Sequence, residues 1–364
     1  MPRIFDRPMS SGAGWSRPTD WLTMPTLIDG EQKIAMLVAV YEHDSNFSAF
    51  TVSGGNYTVD WGDGNAAQNI NDGVQAEQNL SWADYDPSTL TSGGYRQALV
   101  TITAQSGQTL TLAELSQQHS GAASSYYSQT LEVVAAGSGF GQITFSGEAR
   151  CSIMEKFEFV GTCNITSMFQ MFYYCYSLKT IPLFDTSSVT DMQQMLHNCC
   201  SLQSIPLFDT SSVTSMYQML YGCYSLKTIP LFDTSSVTDM YRMLHGCYSL
   251  KTIPLFDTSS VTDMYRMLYG CYSLQSIPLF DTSSVTDMQQ MLVACISLGR
   301  GAMAGTAVDV SYANCKLSAG EINSIFSNLA SGVTSKTVTV SGNWGAATCD
   351  PSIATAKGWT VVTA

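Results

Sequence analysis

The sequence predicts a multidomain chain in which a β-sandwich is followed by a solenoid of α/β type with 24-residue turns. The main observation is a segment that recurs almost unchanged between Leu178 and Leu298, as in SLKTIPLFDTSSVTDMYRMLHGCY. A unit this short cannot bury its own apolar face, so it must stack on copies of itself. The second observation is a series of short β-branched and aromatic segments before the repeats, separated by Gly, Asn and Asp, which is typical of an antiparallel sandwich.

Composition and charge narrow the classes of function. With 364 residues, of which 45% are hydrophobic, the chain can bury a large core. Asp and Glu number 29 against 16 Lys and Arg, which gives a net charge of -13. Such a chain repels a phosphate backbone, so we exclude nucleic acid as a partner. We find no apolar run of membrane-spanning length and no signal-peptide pattern at the start. We therefore expect that the protein is made in the cytoplasm and does not insert into a membrane.

Residues 1–33 are predicted to form an N-terminal arm that becomes ordered against a partner. Its aromatic residues are the candidates for docking, namely Phe5, Trp15 and Trp21.

Residues 34–116 are predicted to form the sandwich, with strands in KIAMLVAVYE, FSAFTVSG, NYTVDWGDGN and RQALVTITAQ. Asp63-Gly64 supply the residues with positive φ that a tight hairpin needs. Asp60 and Asp63 are interpreted as caps that shape this turn, in preference to a calcium site or an acid–base pair.

The motif VDWGDG at residues 59–64 resembles the WxFGDG signature of PKD domains, and the segment around Ala98–Thr103 matches the closing strand of that family. The loop from Asn65 to Tyr95 departs from the short family pattern. PKD domains are seven-stranded Ig-like sandwiches that usually act as spacers or adhesion modules. The resemblance therefore implies presentation of another surface and no chemistry.

The remaining chain is divided into a connector with an N-terminal capping turn (117–153), the repeats (154–298), and C-terminal degenerate repeats with a cap (299–364). We expect about eight turns. In each repeat, Ile181 and Leu183 are predicted to face inward from a strand. Phe184 and its copies form either an interior spine or an exposed apolar ladder. Ser187 or Ser188 then caps a helix whose buried stripe follows a spacing of three and four, namely Val189, Met192, Met195, Leu196 and Cys199.

The run FDTSSVTDM, followed by ML and a Cys, resembles the BspA-type leucine-rich repeats, also called DUF285, with their DTSxVTxMxxMFxxC core. The resemblance covers about residues 154–298. Leu196 and its copies stand where Phe is usual, an apolar exchange that keeps the fold. The start WSRPTDWL and the C-terminal tail are similar to those of phage virion and adhesion proteins.

No motif of a known enzyme class is found, so we predict no enzymatic activity, no cofactor and no metal. His197 and His245 occupy a repeat position that Val293 also fills, which excludes a catalytic role there. The cysteine column is interpreted as small buried thiols, and the Asp185 column as turn caps, in preference to disulfide, zinc or other metal sites.

Tyrosines and arginines make one candidate binding strip on the repeats. Gln193 and Gln289 fill the tyrosine position in other copies, so this position faces solvent. The strip is either a site for sugar or protein, or ordinary surface variation. Its members are Tyr217, Tyr241, Arg242, Tyr265 and Arg266.

These observations lead us to expect a non-enzymatic phage virion structural or adhesion protein, such as a tail fibre component or a capsid decoration. The alternative is a bacterial cell-surface adhesin with leucine-rich repeats. The partners expected are other virion proteins and a host surface glycan or protein, with a homo-oligomer left open. The location expected is the virion, or for the alternative the bacterial surface.

Overall fold

The computed structural model describes residues 16–42, 45–121, 128–145 and 153–364. The four strands predicted for the N-terminal part are all present, and further strands lie between and after them. In chain order they are β1 (Lys33–Val40), β2 (Phe47–Ser53), β3 (Tyr57–Asp60), β4 (Gln68–Ile70), β5 (Gln75–Asn79), β6 (Arg96–Ala104), β7 (Leu112–Glu114), β8 (Thr130–Ala136), β9 (Gln142–Thr144) and β10 (Lys156–Val160).

These strands form two sheets. The first has six strands in the order β10-β8-β1-β6-β3-β4, and the second has four in the order β5-β2-β7-β9. Strand β1 pairs antiparallel with β6, whereas β10 pairs parallel with β8 and places Lys156 beside Glu132. Because β10 lies within the repeat region, the first sheet passes directly into the solenoid. The likeness to a PKD domain stays a prediction.

The turn after β3 is shaped by carboxylates, as the sequence predicted. Asp60 Oδ1 accepts a hydrogen bond from the Gly62 N–H at 2.9 Å, and Asp63 Oδ1 accepts one from the Asn65 N–H at 3.0 Å. The positive φ values belong to Gly62 (70°) and Gly64 (78°), so Asp63 itself is not left-handed.

A solenoid of about nine turns follows, but the helix predicted for each repeat is wrong. In residues 161–318, all of which the structure describes, no α-helix forms, and the regular strands are only β11 (Phe280–Asp281), β12 (Met303–Ala304) and β13 (Val310–Ser311). Gln194 lies in the left-handed region with φ 54°, which an α-helix does not tolerate. Its N–H bonds to Tyr217 O in the next turn at 2.9 Å, while the Met195 N–H bonds back to Met192 O. Along this segment, N–H groups therefore alternate between hydrogen bonds to the next repeat and hydrogen bonds within their own repeat.

The buried residues of this segment are nevertheless those predicted. Successive three-residue turns bring side chains back to one face at nearly the spacing of a helix, so the sequence pattern does not separate the two conformations. The predicted stripe is almost completely buried at Val189, Met192, Met195, Leu196 and Cys199.

The prediction that Leu183 faces inward is also wrong. Its side chain is 67% exposed, while Ile181 and Phe184 on either side are each only 8% exposed. In the following repeats the backbone makes a tight turn at the equivalent position, where the Phe208 N–H bonds to Pro206 O at 3.1 Å, and this breaks the alternation of a strand. The phenylalanines form the interior spine that was one of the two alternatives.

The C-terminal part closes the far end of the solenoid with helices α1 (Ala319–Asn328) and α2 (Ser352–Thr355) and strands β14 (Lys336–Thr339) and β15 (Trp359–Val362). Strands β13, β14 and β15 form a parallel sheet. Ser318 caps the start of helix α1, since its Oγ accepts a bond from the Glu321 N–H at 3.3 Å. One hydrophobic core runs from Ile34 in β1 to Trp359 in β15.

Candidate binding surface

The three tyrosines of the predicted strip form one stacked column. The ring centroids of Tyr217 and Tyr241 are 5.0 Å apart with an interplanar angle of 7°, and those of Tyr241 and Tyr265 are 5.2 Å apart at 14°. All three side chains are half-buried. Because each ring covers the face of the next, the column offers ring edges and hydroxyl groups to a ligand, with few open ring faces.

Arg242 and Arg266 lie against this column. The Arg242 Cζ is 5.0 Å from the Tyr241 ring centroid and 5.6 Å from that of Tyr265. The Arg266 Cζ is 5.1 Å from Tyr265 and 5.3 Å from Tyr269. The structure therefore brings the five predicted residues together, and cation–π contacts hold the guanidinium groups in place.

The two arginines interrupt a ladder of glutamines. Gln170 Nε2 donates to Gln194 Oε1 at 2.7 Å, and Gln194 Nε2 donates to Gln218 Oε1 at 2.8 Å. Each of these residues has a left-handed backbone, as do Arg242 and Arg266 in the same column. The repeat thus holds this side chain in one fixed direction, turn after turn.

Arg242 Nε is buried, and within the described parts of the chain it has no hydrogen-bond partner. The cause is the next turn, which places Arg266 where a glutamine would supply an acceptor. Arg266 Nε itself donates to Gln290 Oε1 at 2.7 Å. An unpaired buried donor and two neighbouring cations both cost stability.

The repeats carry two further aromatic columns, of which only the histidine position was noted from the sequence. His197, Tyr221, His245 and Tyr269 stack with centroid distances of 4.4, 4.5 and 4.7 Å. Three exposed tyrosines stack at 4.5 and 4.8 Å. The signal in the sequence was the recurrence of an aromatic residue at the same repeat position. The exposed column consists of Tyr224, Tyr248 and Tyr272.

The stacked histidines are held in the neutral form. Burial lowers the pKa of His197 to about 4. Burial also lowers the pKa of His245 to about 4, and the nearby Arg242 and Arg266 charges contribute in the same direction. Near neutral pH the column is therefore uncharged, and the positive charge of this surface lies on the arginines.

The cysteine column has the buried character that the sequence predicted. The Cys223 thiol donates to Leu196 O at 3.2 Å, and the Cys247 thiol donates to Leu220 O at 3.4 Å. Burial raises the pKa of both thiols. Within the residues that the structure describes, no group of three or more His, Cys, Asp or Glu side chains could hold a metal ion.

Of the predicted docking arm, only Trp21 lies within the described residues. Its side chain is 5% exposed, and its Nε1 donates to the Tyr95 hydroxyl at 2.9 Å. It packs with Leu37 and Leu131 of the first sheet, so its ring serves the protein's own core. Phe5 and Trp15 lie outside the described residues.

None of the helices in the described chain is long and apolar enough to span a membrane.

Two overlapping stretches, residues 143–253 and 201–302, match the protein family described as "Mycoplasma protein of unknown function, DUF285". They contain the 24-residue repeats, and both the match and the fold agree with a BspA-type repeat solenoid. Comparison with curated proteins and with solved structures gave no match.

Proposed function

We propose that the protein is a non-enzymatic adhesion or structural protein of a phage virion, whose solenoid presents the tyrosine–arginine strip to a glycan on the host surface. A tail fibre component and a capsid decoration both suit this function. A bacterial cell-surface adhesin is the second candidate, because the same strip serves attachment equally well. In either case the binding chemistry resides in the repeats.

The observation that carries the proposal is the pair Arg242 and Arg266 in a column that is otherwise glutamine. Their guanidinium groups bind carboxylate, sulfate or phosphate groups in a bidentate manner. The stacked tyrosines beside them supply hydroxyl groups for the polar groups of a sugar. We therefore expect the ligand to be a glycan that carries acidic groups.

The test replaces both arginines by the residue that the other turns use. In the double variant R242Q/R266Q, Gln replaces Arg at both sites and the glutamine ladder becomes continuous from Gln170 to Gln290. Since the unpaired donor disappears, we expect the free energy of unfolding to rise by about 1–2 kcal/mol. Binding to purified acidic polysaccharides of candidate host cells, measured by biolayer interferometry, should fall at least tenfold.

The matched control is K227Q/K251Q. It also removes two positive charges from exposed positions at which other turns carry glutamine, namely Gln203 and Gln275. This variant should bind as the unchanged protein does. Equal loss of binding in both double variants would show a general charge effect and contradict the proposed strip.

The location is tested separately from the ligand. Immunogold electron microscopy of purified phage particles should label the tail or the capsid. If the bacterial cell wall is labelled and the particles are not, the virion proposal is rejected in favour of the adhesin.

A further inference from the structure

A second surface of the solenoid is an exposed ladder of leucines, one from each perfect repeat. Their exposed fractions lie between 54% and 67%, whereas the phenylalanine that follows each of them is at most 8% exposed. Soluble proteins seldom expose apolar side chains in an unbroken row, so such a row indicates a contact surface. The ladder consists of Leu183, Leu207, Leu231, Leu255 and Leu279.

A ladder of aspartates runs beside the leucines, two residues further along each repeat. Asp257 Oδ1 accepts bonds from the Ser259 N–H at 3.0 Å and from the Ser259 hydroxyl at 2.7 Å. Asp185, Asp209 and Asp233 accept the same pair of bonds, and Asp281 Oδ1 accepts the bond from the Ser283 N–H at 2.9 Å. These bonds lower the pKa of the aspartates, so the row is ionised. Its members are Asp185, Asp209, Asp233, Asp257 and Asp281.

At two neighbouring turns the leucine and aspartate ladders border one depression, which the buried Thr258 also lines. Leu255, Asp257, Leu279 and Asp281 all line it. The Thr258 hydroxyl donates to Asp281 O in the next turn at 2.7 Å. Each turn therefore places one apolar side chain and one negative charge side by side, at the spacing of the solenoid repeat.

The charge and the spacing of this surface select the kind of partner. A second copy of the chain would bring its own aspartates, and with a net charge of -13 the two copies would repel each other. A partner with basic side chains is complementary. Neighbouring turns of stacked strands are about 4.8 Å apart, and one turn of an α-helix rises about 5.4 Å, so a helix laid along the ladder meets one repeat per helical turn.

We propose that the leucine–aspartate ladder is the docking surface for an amphipathic α-helix of a partner protein, with its apolar stripe on the leucines and Lys or Arg side chains on the aspartates. Helices recognise apolar grooves through side chains one turn apart, which is the pattern that this ladder offers. The site is separate from the tyrosine–arginine strip.

The test uses synthetic helical peptides of about 18 residues, with leucines on one stripe and lysines beside them, and with glutamates in place of the lysines as the control. Isothermal titration calorimetry should give binding of the lysine peptide at least tenfold tighter than that of the glutamate peptide. Binding should weaken as salt is raised, because it depends on exposed charges.

Two variants of the full chain locate the contact. L231S/L255S/L279S removes the apolar ladder at exposed positions, and D233N/D257N/D281N removes charge while it keeps an acceptor for each serine. We expect each variant to bind the lysine peptide at least tenfold more weakly. Circular dichroism checks that each variant is folded. R242Q/R266Q should bind this peptide unchanged, so failure of the glycan site and failure of the helix site are distinguishable.

Equal binding of the two peptides, or unchanged binding by both ladder variants, overturns the proposal. So does a leucine-dependent dimer in sedimentation velocity, since this result would assign the ladder to a second copy of the chain.

Discussion

Arg17 Nε donates to Glu132 Oε2 at 2.6 Å, although the two residues are 115 positions apart. Glu132 lies in β8 with its side chain 1% exposed, and its other carboxylate oxygen accepts a bond from Lys156 Nζ at 3.0 Å. One buried carboxylate thus joins the N-terminal segment, the first sheet and the strand at which the repeats begin. A buried acid is tolerated only when its charge is compensated in this way.

Replacing this acid tests the junction. In E132Q a neutral amide cannot balance both cations, and we expect the free energy of unfolding to fall by about 1–3 kcal/mol in urea denaturation. The control is E158Q. Glu158 also binds Lys156, at 2.8 Å, but its side chain is 43% exposed, so the change should be within about 0.5 kcal/mol. Equal effects of the two variants would contradict the role of the buried junction.

The stacked histidines predict a loss of stability in mild acid. The pKa of His197 and His245 is about 4 in the folded chain, below the ordinary value of 6.5, so the unfolded chain binds protons more readily. Their contribution is therefore complete above about pH 6.5 and is lost as pH falls toward 4.

The matched variant is H197Y/H245Y, which uses the residue found at the same position in Tyr221 and Tyr269. For the more buried His197 the loss on going from pH 7 to pH 5 should be about 1–2 kcal/mol. Urea unfolding at both pH values should show a smaller difference for the variant than for the unchanged chain. An identical pH dependence would refute the neutral, stacked state of the histidines.

A second column of aspartates, formed by Asp239, Asp263 and Asp287, predicts a pH dependence of stability opposite in sign to that of the histidines. Burial raises the pKa of Asp263, and the neighbouring carboxylates of Asp239 and Asp287 add to the effect. Its charged form therefore opposes folding, and this cost develops as pH rises from the ordinary Asp pKa through the higher pKa of the folded chain. At pH 7 D263N should raise the melting temperature, since Asn keeps an acceptor for the Tyr265 N–H.

D257N is the control for this variant. Hydrogen bonds from Ser259 lower the pKa of Asp257, so its charged form supports folding at pH 7. Differential scanning calorimetry should show a lower melting temperature for D257N. Shifts of the same sign in D263N and D257N would be inconsistent with the two environments.

Gly246 occupies the left-handed position that directly follows the column of stacked histidines and tyrosines, and a substitution there tests this backbone conformation. Its φ is 75°, and the nearest atoms to an added Cβ are at 3.6 Å or more, so the cost of alanine is one of backbone conformation alone. We expect G246A to lower the free energy of unfolding by about 1–2 kcal/mol. Ala294 occupies the same position with φ 63°, and A294G should have the opposite effect. Unchanged stability in both variants would show that the left-handed geometry relaxes.

The sequence predicted the solenoid, its period and the buried stripe from Val189 to Cys199, because all of these follow from repetition and polarity. That the tyrosine–arginine strip binds a ligand stays a prediction. The sequence did not predict the path of the chain between Val189 and Cys199. A helix and a series of tight turns bury the same side chains there, and the choice depends on hydrogen bonds to the next turn. The exposure of Leu183 and its copies was missed as well, since a tight turn after the proline, seen at Pro206, reverses the direction expected for a strand.

The histidine column was partly visible in the sequence, yet its physical state was not. His197 alternates with Tyr221 along the repeats, which excluded catalysis, but the stacking that lowers its pKa depends on distances between turns. The unpaired Arg242 donor also depends on which residue the next turn supplies. Both properties arise between neighbouring repeats and not within one.

Neighbouring inner turns exchange backbone hydrogen bonds through equivalent positions, with some N–H groups donating to the turn after and others to the turn before. Deleting or duplicating 24 residues between Leu178 and Leu298 therefore rejoins equivalent partners and leaves both ends of the molecule intact. Such a change moves the C-terminal cap by one step of about 4.8 Å. It also adds or removes one leucine of the ladder, together with the tyrosine or glutamine that the same repeat places in the tyrosine column. Recombination among near-identical repeats can therefore change the length of the solenoid and its number of binding residues by one repeat at a time, without requiring any new contact between turns.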